Sequence, residues 1–184
     1  MNVTASLAAS RPILIAIGGL PATGKTTIAR RVASRRRGVY LRVDTIEVAI
    51  AESEGAYGAS NEWEFAPGYL VSGAVAADQL RLGLDVVAES VNAFDVTRDR
   101  WREIAREQDA RLLEVEIVCS DPDEHRRRAE QREIDIPGIT APTWQEIVDR
   151  DYRPWSRDHL IIDTAVVDAE AGTAAVQAAI HELR

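Results

Sequence analysis

The stretch that decides the fold runs from Gly19 to Thr26 and reads GLPATGKT. It fits the pattern G-x-x-x-x-G-K-[ST] at every fixed position. The two glycines let the backbone curl so that consecutive N–H groups point inward at an anion. In this pattern the lysine, Lys25, reaches the β- and γ-phosphates of a nucleotide, and the hydroxyl of Thr26 binds Mg²⁺. The stretch therefore predicts a nucleotide phosphate site.

The flanks of this loop give the motif its expected context. Before it stands the apolar run 13–17, ILIAI, which is typical of a strand covered on both faces. After it, apolar residues recur at helical spacing over residues 28–33, and Gly38 is a candidate C-cap. A helix that begins at the loop directs its dipole and free N–H groups at the anion, which argues against a chance glycine turn. The residues predicted to contact ATP are Gly19, Leu20, Pro21, Ala22, Thr23, Gly24, Lys25, Thr26 and Thr27.

Short β-rich runs alternate with helical patterns along the chain. This alternation predicts right-handed crossovers and a three-layer α/β fold around a parallel sheet. The capping box TWQE at 143–146 predicts the start of one short helix, which is expected to end at Pro154. The predicted strands are residues 13–17, 39–43, 84–88, 112–118 and 160–162.

The composition is that of a globular protein. Of 184 residues, 46 % are hydrophobic and 28 % are charged, so the chain can bury a core and disorder is not expected. The formal net charge of −8 argues against a nucleic-acid partner, because phosphate backbones recruit an excess of Lys and Arg. The single cysteine, Cys119, allows no disulfide within the chain and fits a reducing compartment.

Residues 1–184 are expected to form one domain, with residues 1–11 as a flexible tail. The start, MNVTASLAAS, lacks the basic segment and long apolar run of a signal peptide. No run approaches the roughly 18 to 20 apolar residues of a membrane span. We therefore expect a cytoplasmic protein without a membrane partner, and both a monomer and a homodimer stay open.

Two stretches, 52–68 and 121–142, do not fit the alternation of strands and helices. Irregular segments of this size in a compact fold tend to be functional loops or lids. The first contains Trp63 and Phe65, and Tyr69 directly follows it; these aromatic residues could wall a substrate or form a local core. The second, 121–142, is the candidate lid.

Asp44 directly follows the second predicted strand. In open α/β sheets ligands bind at the carboxyl ends of strands, so Asp44 should face the same crevice as the phosphate loop. A carboxylate there could accept the proton of a substrate hydroxyl. It could equally cap a helix that begins at Thr45, and position alone leaves both interpretations open.

Several segments together resemble a family of small bacterial P-loop kinases, which are called AAA-type ATP-binding or predicted kinase proteins. The family is related to chloramphenicol phosphotransferase, zeta toxin, gluconate kinase and shikimate kinase. The resemblance covers residues 13–163 and is specific for nucleotide binding, whereas these relatives phosphorylate different small molecules. The segments are GLPATGKT at 19–26, LRVDTIE at 41–47, VVAESVN at 86–92 with TRDRW at 97–101, EHRRRAEQR at 124–132 and PTWQEIVDRDY at 142–152.

The resemblance implies a P-loop NTPase fold, with a five-stranded parallel sheet in the order 2-3-1-4-5 and a small helical lid. It also implies a role for Asp44, because in these kinases an Asp after the second strand binds the acceptor hydroxyl and often serves as base. Glu89 ends the third strand, where P-loop proteins place an acid near the magnesium. The family often has Asp at this position. Glu89 has a longer side chain, which suits a contact with the magnesium through water. Ser90 and Asn92 follow and could touch the acceptor, or Asn92 could be a turn residue.

The lid segment carries a charged helix, residues 124–132. Its charges could form a solvated face with i,i+4 pairs such as Glu124–Arg128. Alternatively Arg128 and Arg132, four apart and so on one helix face, close over the triphosphate and stabilise its charge in the transition state. The resembling kinases carry lid arginines in this region. The remaining basic side chains there, among them His125, are expected at the surface, and His159 is expected to be structural.

The leading interpretation is an ATP- and Mg²⁺-dependent kinase that phosphorylates a hydroxyl of a small molecule. The catalytic residues would be Asp44, Lys25, Arg132 and Arg128, and the metal ligands Thr26 and Glu89. A nucleoside or nucleotide kinase, a sugar-nucleotide kinase and a non-kinase ATPase or switch are alternatives. The chain lacks the apolar run ending in Asp-Glu of a hydrolytic ATPase, and it lacks N-K-x-D, which favours ATP over GTP.

Overall fold

A computed structural model describes residues 11–53, 67–138 and 140–183. The sheet has five parallel strands in the order β2-β3-β1-β4-β5, which confirms the predicted fold and strand order. The strands are β1 Ile13–Gly18, β2 Val39–Arg42, β3 Val86–Glu89, β4 Arg111–Val118 and β5 Leu160–Asp163. The helices are α1 Lys25–Arg36, α2 Val43–Ser53, α3 Pro67–Arg81, α4 Asp95–Glu107, α5 Pro122–Gln131, α6 Trp144–Val148 and α7 Ala169–Glu182.

The central strand β1 explains why its sequence is an unbroken apolar run. It pairs with β3 on one side and β4 on the other, and all its residues are buried. Alternate side chains enter two cores: Ile13, Ile15 and Ile17 pack toward α1 and α7, and Leu14 and Ala16 pack toward α3 and α4. Burying each large apolar side chain stabilises the fold by about 1.5–3 kcal/mol. The central strand thus fixes the loop that follows it.

Two predicted helix ends were wrong, because each helix ends earlier than its sequence pattern indicates. Helix α1 is closed by Arg37 in the left-handed conformation (φ 53°), one residue before Gly38, and the Gly38 N–H donates to the carbonyl of Ala33 at 3.0 Å. Helix α6 ends at Val148, well before Pro154. The segment that follows it is bonded to α4, where Arg98 donates to the carbonyl of Pro154 at 3.1 Å. The capping box that begins α6 is present as predicted, with Thr143 and Glu146 bonding each other's backbone N–H groups.

Helix α2 begins at Val43 and not at Thr45. Asp44 therefore lies inside the first turn of the helix, and the interpretation of Asp44 as the residue that caps a helix starting at Thr45 was wrong. Residues 1–10 and the aromatic residues Trp63 and Phe65 lie outside the described residues. Within the described ranges, no helix is long and apolar enough to cross a membrane.

Candidate nucleotide and acceptor site

The phosphate loop joins β1 to α1 in a shape that only glycine allows at two positions. Gly19 has φ 143° and its N–H donates to the carbonyl of Val91 at 3.1 Å. A Cβ at Gly19 would lie 2.3 Å from the carbonyl oxygen of Ile117. Gly24 has φ 95° and stands directly before α1, so the first N–H groups of that helix are left for a ligand.

Side chains from two other elements hold the backbone of the loop. The imidazole of His125, on α5, donates from Nε2 to the carbonyl of Pro21 at 2.8 Å. Thr164, which follows β5, donates its hydroxyl to the carbonyl of Thr23 at 2.7 Å. His125 is buried and packs edge-on against Trp144, so the expectation that it lies at the surface was wrong. Its spacing of four from Ala129 on the buried face of α5 was the signal in the sequence.

Lys25 points into the loop, with Nζ 3.5 Å from the carbonyl oxygen of Leu20. It is the only lysine in the chain. Burial lowers its pKa, whereas the negative charges of Asp44 and Glu89 act in the opposite direction. Lys25 is thus a buried cation placed between two carboxylates, at the position where the motif places a nucleotide's terminal phosphates.

Thr26 and Glu89 form an oxygen pair at the start of α1 and the end of β3. The hydroxyl of Thr26 donates to one carboxylate oxygen of Glu89, and the phenol of Tyr40 donates to the other. Glu89 is buried (1 % exposed). Hydroxyl and carboxylate oxygens are ligands that suit Mg²⁺, which is commonly held by one or two such groups together with nucleotide phosphates. The residues present therefore fit the predicted metal, and the described part of the chain holds no cluster of three or more His, Cys, Asp or Glu that could bind a metal alone.

Asp44 lies within electrostatic range of three cationic groups that come from different parts of the chain. Its negative charge acts on Lys25, on Arg132 after α5 and on Arg150 after α6. In each case burial is the largest influence and lowers the pKa of the cation, and Asp44 opposes it. The structure thus brings together the predicted catalytic residues Asp44, Lys25 and Arg132.

The sequence pattern indicates that Arg128 and Arg132 share a helix face, but in the structure they do not. Helix α5 ends at Gln131, and Arg132 follows it in an extended conformation with φ −68° and ψ 137°. Arg128 instead donates to Glu124 at 2.7 Å, the predicted i,i+4 pair, and to the hydroxyl and carbonyl of Thr164 at 2.8 and 2.9 Å. Arg128 therefore links α5 to the loop after β5, whereas Arg132 lies beyond the helix and within range of the charge of Asp44.

The segment after β3 forms a wall of the crevice. Asn92 is buried and left-handed (φ 53°), its N–H donates to the hydroxyl of Tyr69 at 3.1 Å, and its Oδ1 accepts from Trp101 at 3.1 Å. These contacts support the interpretation of Asn92 as a turn residue. Tyr69 is part of the buried core, and burial raises its pKa to about 12. Of the aromatic residues named above, Tyr69 thus belongs to the local core.

Sequence reasoning missed Arg98, which organises the other wall. Its guanidinium, 3 % exposed, donates to the carbonyls of Asn92, Ala93, Arg153 and Pro154 at 2.5–3.1 Å. It also lies 4.6 Å from the ring centre of Trp155. The arginine-rich stretch of α4 reads as a solvated face, so nothing in its pattern marks one buried arginine.

Next to this wall the structure contains an open cleft of about 640 Å³. It lies between Phe94, which precedes α4, and the segment around α6, including Glu146 and Arg150. The charge of Asp44 acts on Arg150, which lines this cleft. The phosphate loop and the cleft thus each contain a cation on which the charge of Asp44 acts, Lys25 and Arg150.

A family model described as an AAA domain matches residues 14–149. The chain belongs to this family. The matched range of the AAA domain includes the phosphate loop, Asp44, Glu89 and both lid arginines. The fold and the matching family agree with the small P-loop kinases that the sequence resembles.

Individual relatives of this AAA domain are kinases. A probable adenylyl-sulfate kinase of Aeropyrum pernix is 29 % identical over 161 residues, which cover 83 % of each chain. The structure of a protein from Chloroflexus aurantiacus j-10-fl assigned as a kinase is 22 % identical, with a TM-score of 0.72 and coverage of 95 % of this chain and 98 % of that one. The APS kinase of Mycobacterium tuberculosis in complex with AMPPNP and APS is 18 % identical, with a TM-score of 0.67 and coverage of 91 % and 96 %. The two structures show the likeness of the fold.

Proposed function

We propose that this AAA domain transfers the γ-phosphoryl group of ATP to a hydroxyl group of a small molecule. The observation that carries the proposal is the position of Asp44, whose charge acts on both Lys25 and Arg132. A carboxylate beside the cations of a phosphate site is placed to meet the hydroxyl that attacks the γ-phosphorus. An ATPase that used only water would not need an open cleft of about 640 Å³.

Each residue has a distinct part in the proposed reaction. Asp44 orients the acceptor hydroxyl and accepts its proton as the new O–P bond forms and the bond to the leaving ADP breaks. Lys25 and Arg132 hold the oxygens of the γ-phosphoryl group, where negative charge is spread in the transition state. Thr26 and Glu89 would hold Mg²⁺, directly or through water, and the ion would neutralise charge on the β- and γ-phosphates.

The cleft lined by Phe94 and Arg150 is the proposed acceptor site. The probable adenylyl-sulfate kinase favours a second, narrower candidate function, in which the acceptor is a nucleotide such as adenylyl sulfate. An aromatic side chain beside an arginine suits a ring next to an anionic group. Both candidates use the same residues and differ only in what the cleft accepts.

The test is a screen for acceptor-dependent release of ADP. Sugars, polyols, antibiotics, nucleosides, sugar nucleotides and adenylyl sulfate would be offered with ATP and Mg²⁺ to the full chain. The same screen with Asp44→Asn should show transfer reduced by about 10²- to 10⁴-fold, the usual contribution of a general base, with unchanged ATP binding.

The matched control is Asp123→Asn. Asp44 and Asp123 are each the second residue of their helix, so both substitutions remove the same carboxylate from a first turn. Asp123 is exposed and its variant should transfer phosphate normally. Equal activity of the Asp44→Asn variant on a true acceptor would defeat the proposed mechanism. Release of ADP without dependence on any acceptor would instead support the ATPase alternative.

A further inference from the structure

Asp135 joins the segment after α5 to the body of the protein. Its Oδ1 accepts from Nη1 of Arg42 at 2.8 Å, and its Oδ2 accepts from Nη2 of Arg30 at 2.5 Å. Arg42 ends the edge strand β2 with its side chain 7 % exposed, and Arg30 lies on α1. One carboxylate therefore ties this segment to both a strand and a helix.

Asp135, with its two ion pairs, lies only three residues beyond Arg132. Residues 132–135 belong to no helix or strand, so Arg132 is not held by a helical frame. Three residues of chain span at most about 10 Å, so fixing Asp135 limits how far the backbone of Arg132 can move. The charges of Arg42 and Asp135 also act directly on the guanidinium of Arg132.

Polar contacts also connect Asp135 to the proposed magnesium ligands. Arg30 lies beside the phenol of Tyr40 as well as beside Asp135. The phenol of Tyr40 donates to Glu89, which accepts from Thr26 as well. Polar contacts thus run from Asp135 to Thr26, and they connect the segment that carries Arg132 to the residues at the phosphates.

We infer that Asp135 is a positioning residue, which holds Arg132 at the γ-phosphate by fixing the segment after α5 onto Arg42 and Arg30. This inference rests on the proposed role of Arg132. The two arginines lower the pKa of Asp135 to about 2, so the tie persists at every pH where the enzyme would work. Asp135 is partly exposed, and ion pairs of that kind contribute little to global stability. The effect of Asp135 should therefore be local.

The test measures equilibrium binding of ADP and of AMPPNP, each with Mg²⁺, to the full chain. The ratio of their dissociation constants, Kd for ADP over Kd for AMPPNP, reports what contacts to the γ-phosphoryl position add. Asp135→Asn should lower this ratio by about tenfold, at the lower end of what a supporting partner contributes, with Kd for ADP unchanged. Asp135→Glu, which keeps the charge, should recover part of the ratio.

Glu170 offers a matched control, because it also bridges two arginines. Its carboxylate pairs with Arg31 at 3.3 Å and Arg35 at 2.5 Å, on the same helix α1 but away from the phosphate loop. Glu170→Gln should leave the ratio unchanged. Arg30→Gln is a second variant, since Arg30 is half-exposed and its loss leaves the pair with Arg42 in place. It should lower the ratio by less than Asp135→Asn does.

A double variant decides whether Asp135 acts through Arg132. In the Arg132→Ala background, Asp135→Asn should produce no further change in the ratio, because the group it positions is gone. An additive loss would overturn the inference. So would an unchanged ratio in Asp135→Asn while Arg132→Ala alone lowers it, and the proposed function would then stand. An unchanged ratio in Arg132→Ala would remove the role of Arg132 and this inference with it, whereas transfer to the acceptor is judged separately by Asp44→Asn.

Discussion

The phosphate loop and the proposed acceptor cleft are held in different ways. The loop is held at its backbone groups: the Gly19 N–H donates to the carbonyl of Val91, and the carbonyls of Pro21 and Thr23 accept from the side chains of His125 and Thr164. The cleft is built from long charged side chains that reach across irregular segments, as Arg98 does. The loop offers a ligand its backbone N–H groups, which do not depend on the loop's own side chains, whereas the cleft is lined by side chains that differ with each substitution. We infer that the first region supplies a common reaction and the second supplies specificity.

The largest expected effect follows from Lys25→Ala in the loop. Transfer should fall by at least about 10³-fold, because the lysine meets charge that develops on the phosphates. The fold should persist. Lys25 is a buried cation, and its lowered pKa means that burial disfavours its charged form, so removing it also removes an unfavourable contribution. Steady-state kinetics and thermal unfolding check this, with Arg31→Ala on the exposed face of α1 as control. Undiminished turnover in the Lys25→Ala variant would remove the loop from the mechanism.

Arg98→Ala should have the next largest effect, and it acts on the cleft. The substitution removes the Arg98 donor from four carbonyls, of which that of Ala93 still accepts from the backbone N–H of Arg153. It should destabilise the protein by about 3–5 kcal/mol, as is usual when one partner of a buried charged network is removed. Denaturant unfolding measures this, with Arg106→Ala on the same helix as an exposed control. At temperatures where the variant is folded, it should bind ATP normally and transfer phosphate poorly. Loss of ATP binding instead would show that the two regions are not separable.

Thr26→Ala tests the metal side of the loop. The substitution should raise the Mg²⁺ concentration needed for half-maximal activity by about 10-fold or more, because a proposed ligand is lost. The binding of ADP without Mg²⁺ should change little. Ser34→Ala removes an exposed hydroxyl from the same helix and should behave like the parent protein. Identical magnesium titrations for Thr26→Ala and the parent would count against this ligand.

The smallest effect is expected for Arg128→Ala, which distinguishes support of the loop from contact with phosphate. If Arg128 only links α5 to Thr164, the free energy of unfolding should fall by about 1–2 kcal/mol. The ratio of the ADP and AMPPNP dissociation constants should then stay constant. Arg127→Ala is the control, because Arg127 also pairs with Glu124 but is exposed. A lower ratio would favour the original prediction that Arg128 closes over the triphosphate.

Much of the nucleotide side could be predicted from the sequence because its signals are local. The glycine positions, the apolar run of β1 and the helix after it identify the phosphate loop without long-range information. The order of the strands came from the resemblance to known kinases, since the alternation of strands and helices indicates only a parallel sheet. Helix ends were less predictable: α2 began two residues earlier than expected, which placed Asp44 inside the helix.

The rest depends on contacts between residues far apart in the sequence. His125 bonds Pro21 across 104 positions, and Asp135 bonds Arg42 across 93. Arg98, Arg126 and Arg132 all stand in charged stretches of sequence, yet only the tertiary structure buries the first, exposes the second and brings the third within range of the charge of Asp44. A charge pattern cannot make that distinction, because each arginine fits a solvated helix face equally well.

The solitary lysine has a practical consequence. Since every other long cationic side chain is an arginine, the chain carries one ε-amino group, and it stands where the nucleotide binds. The lowered pKa of that amine makes more of its nucleophilic form available than an ordinary lysine has at neutral pH. A mild acylating reagent would therefore label one side chain, with the chain's terminal amine as internal reference. Occupancy of the phosphate site by any nucleotide could then be read by mass spectrometry as protection of a single peptide, before the acceptor is known.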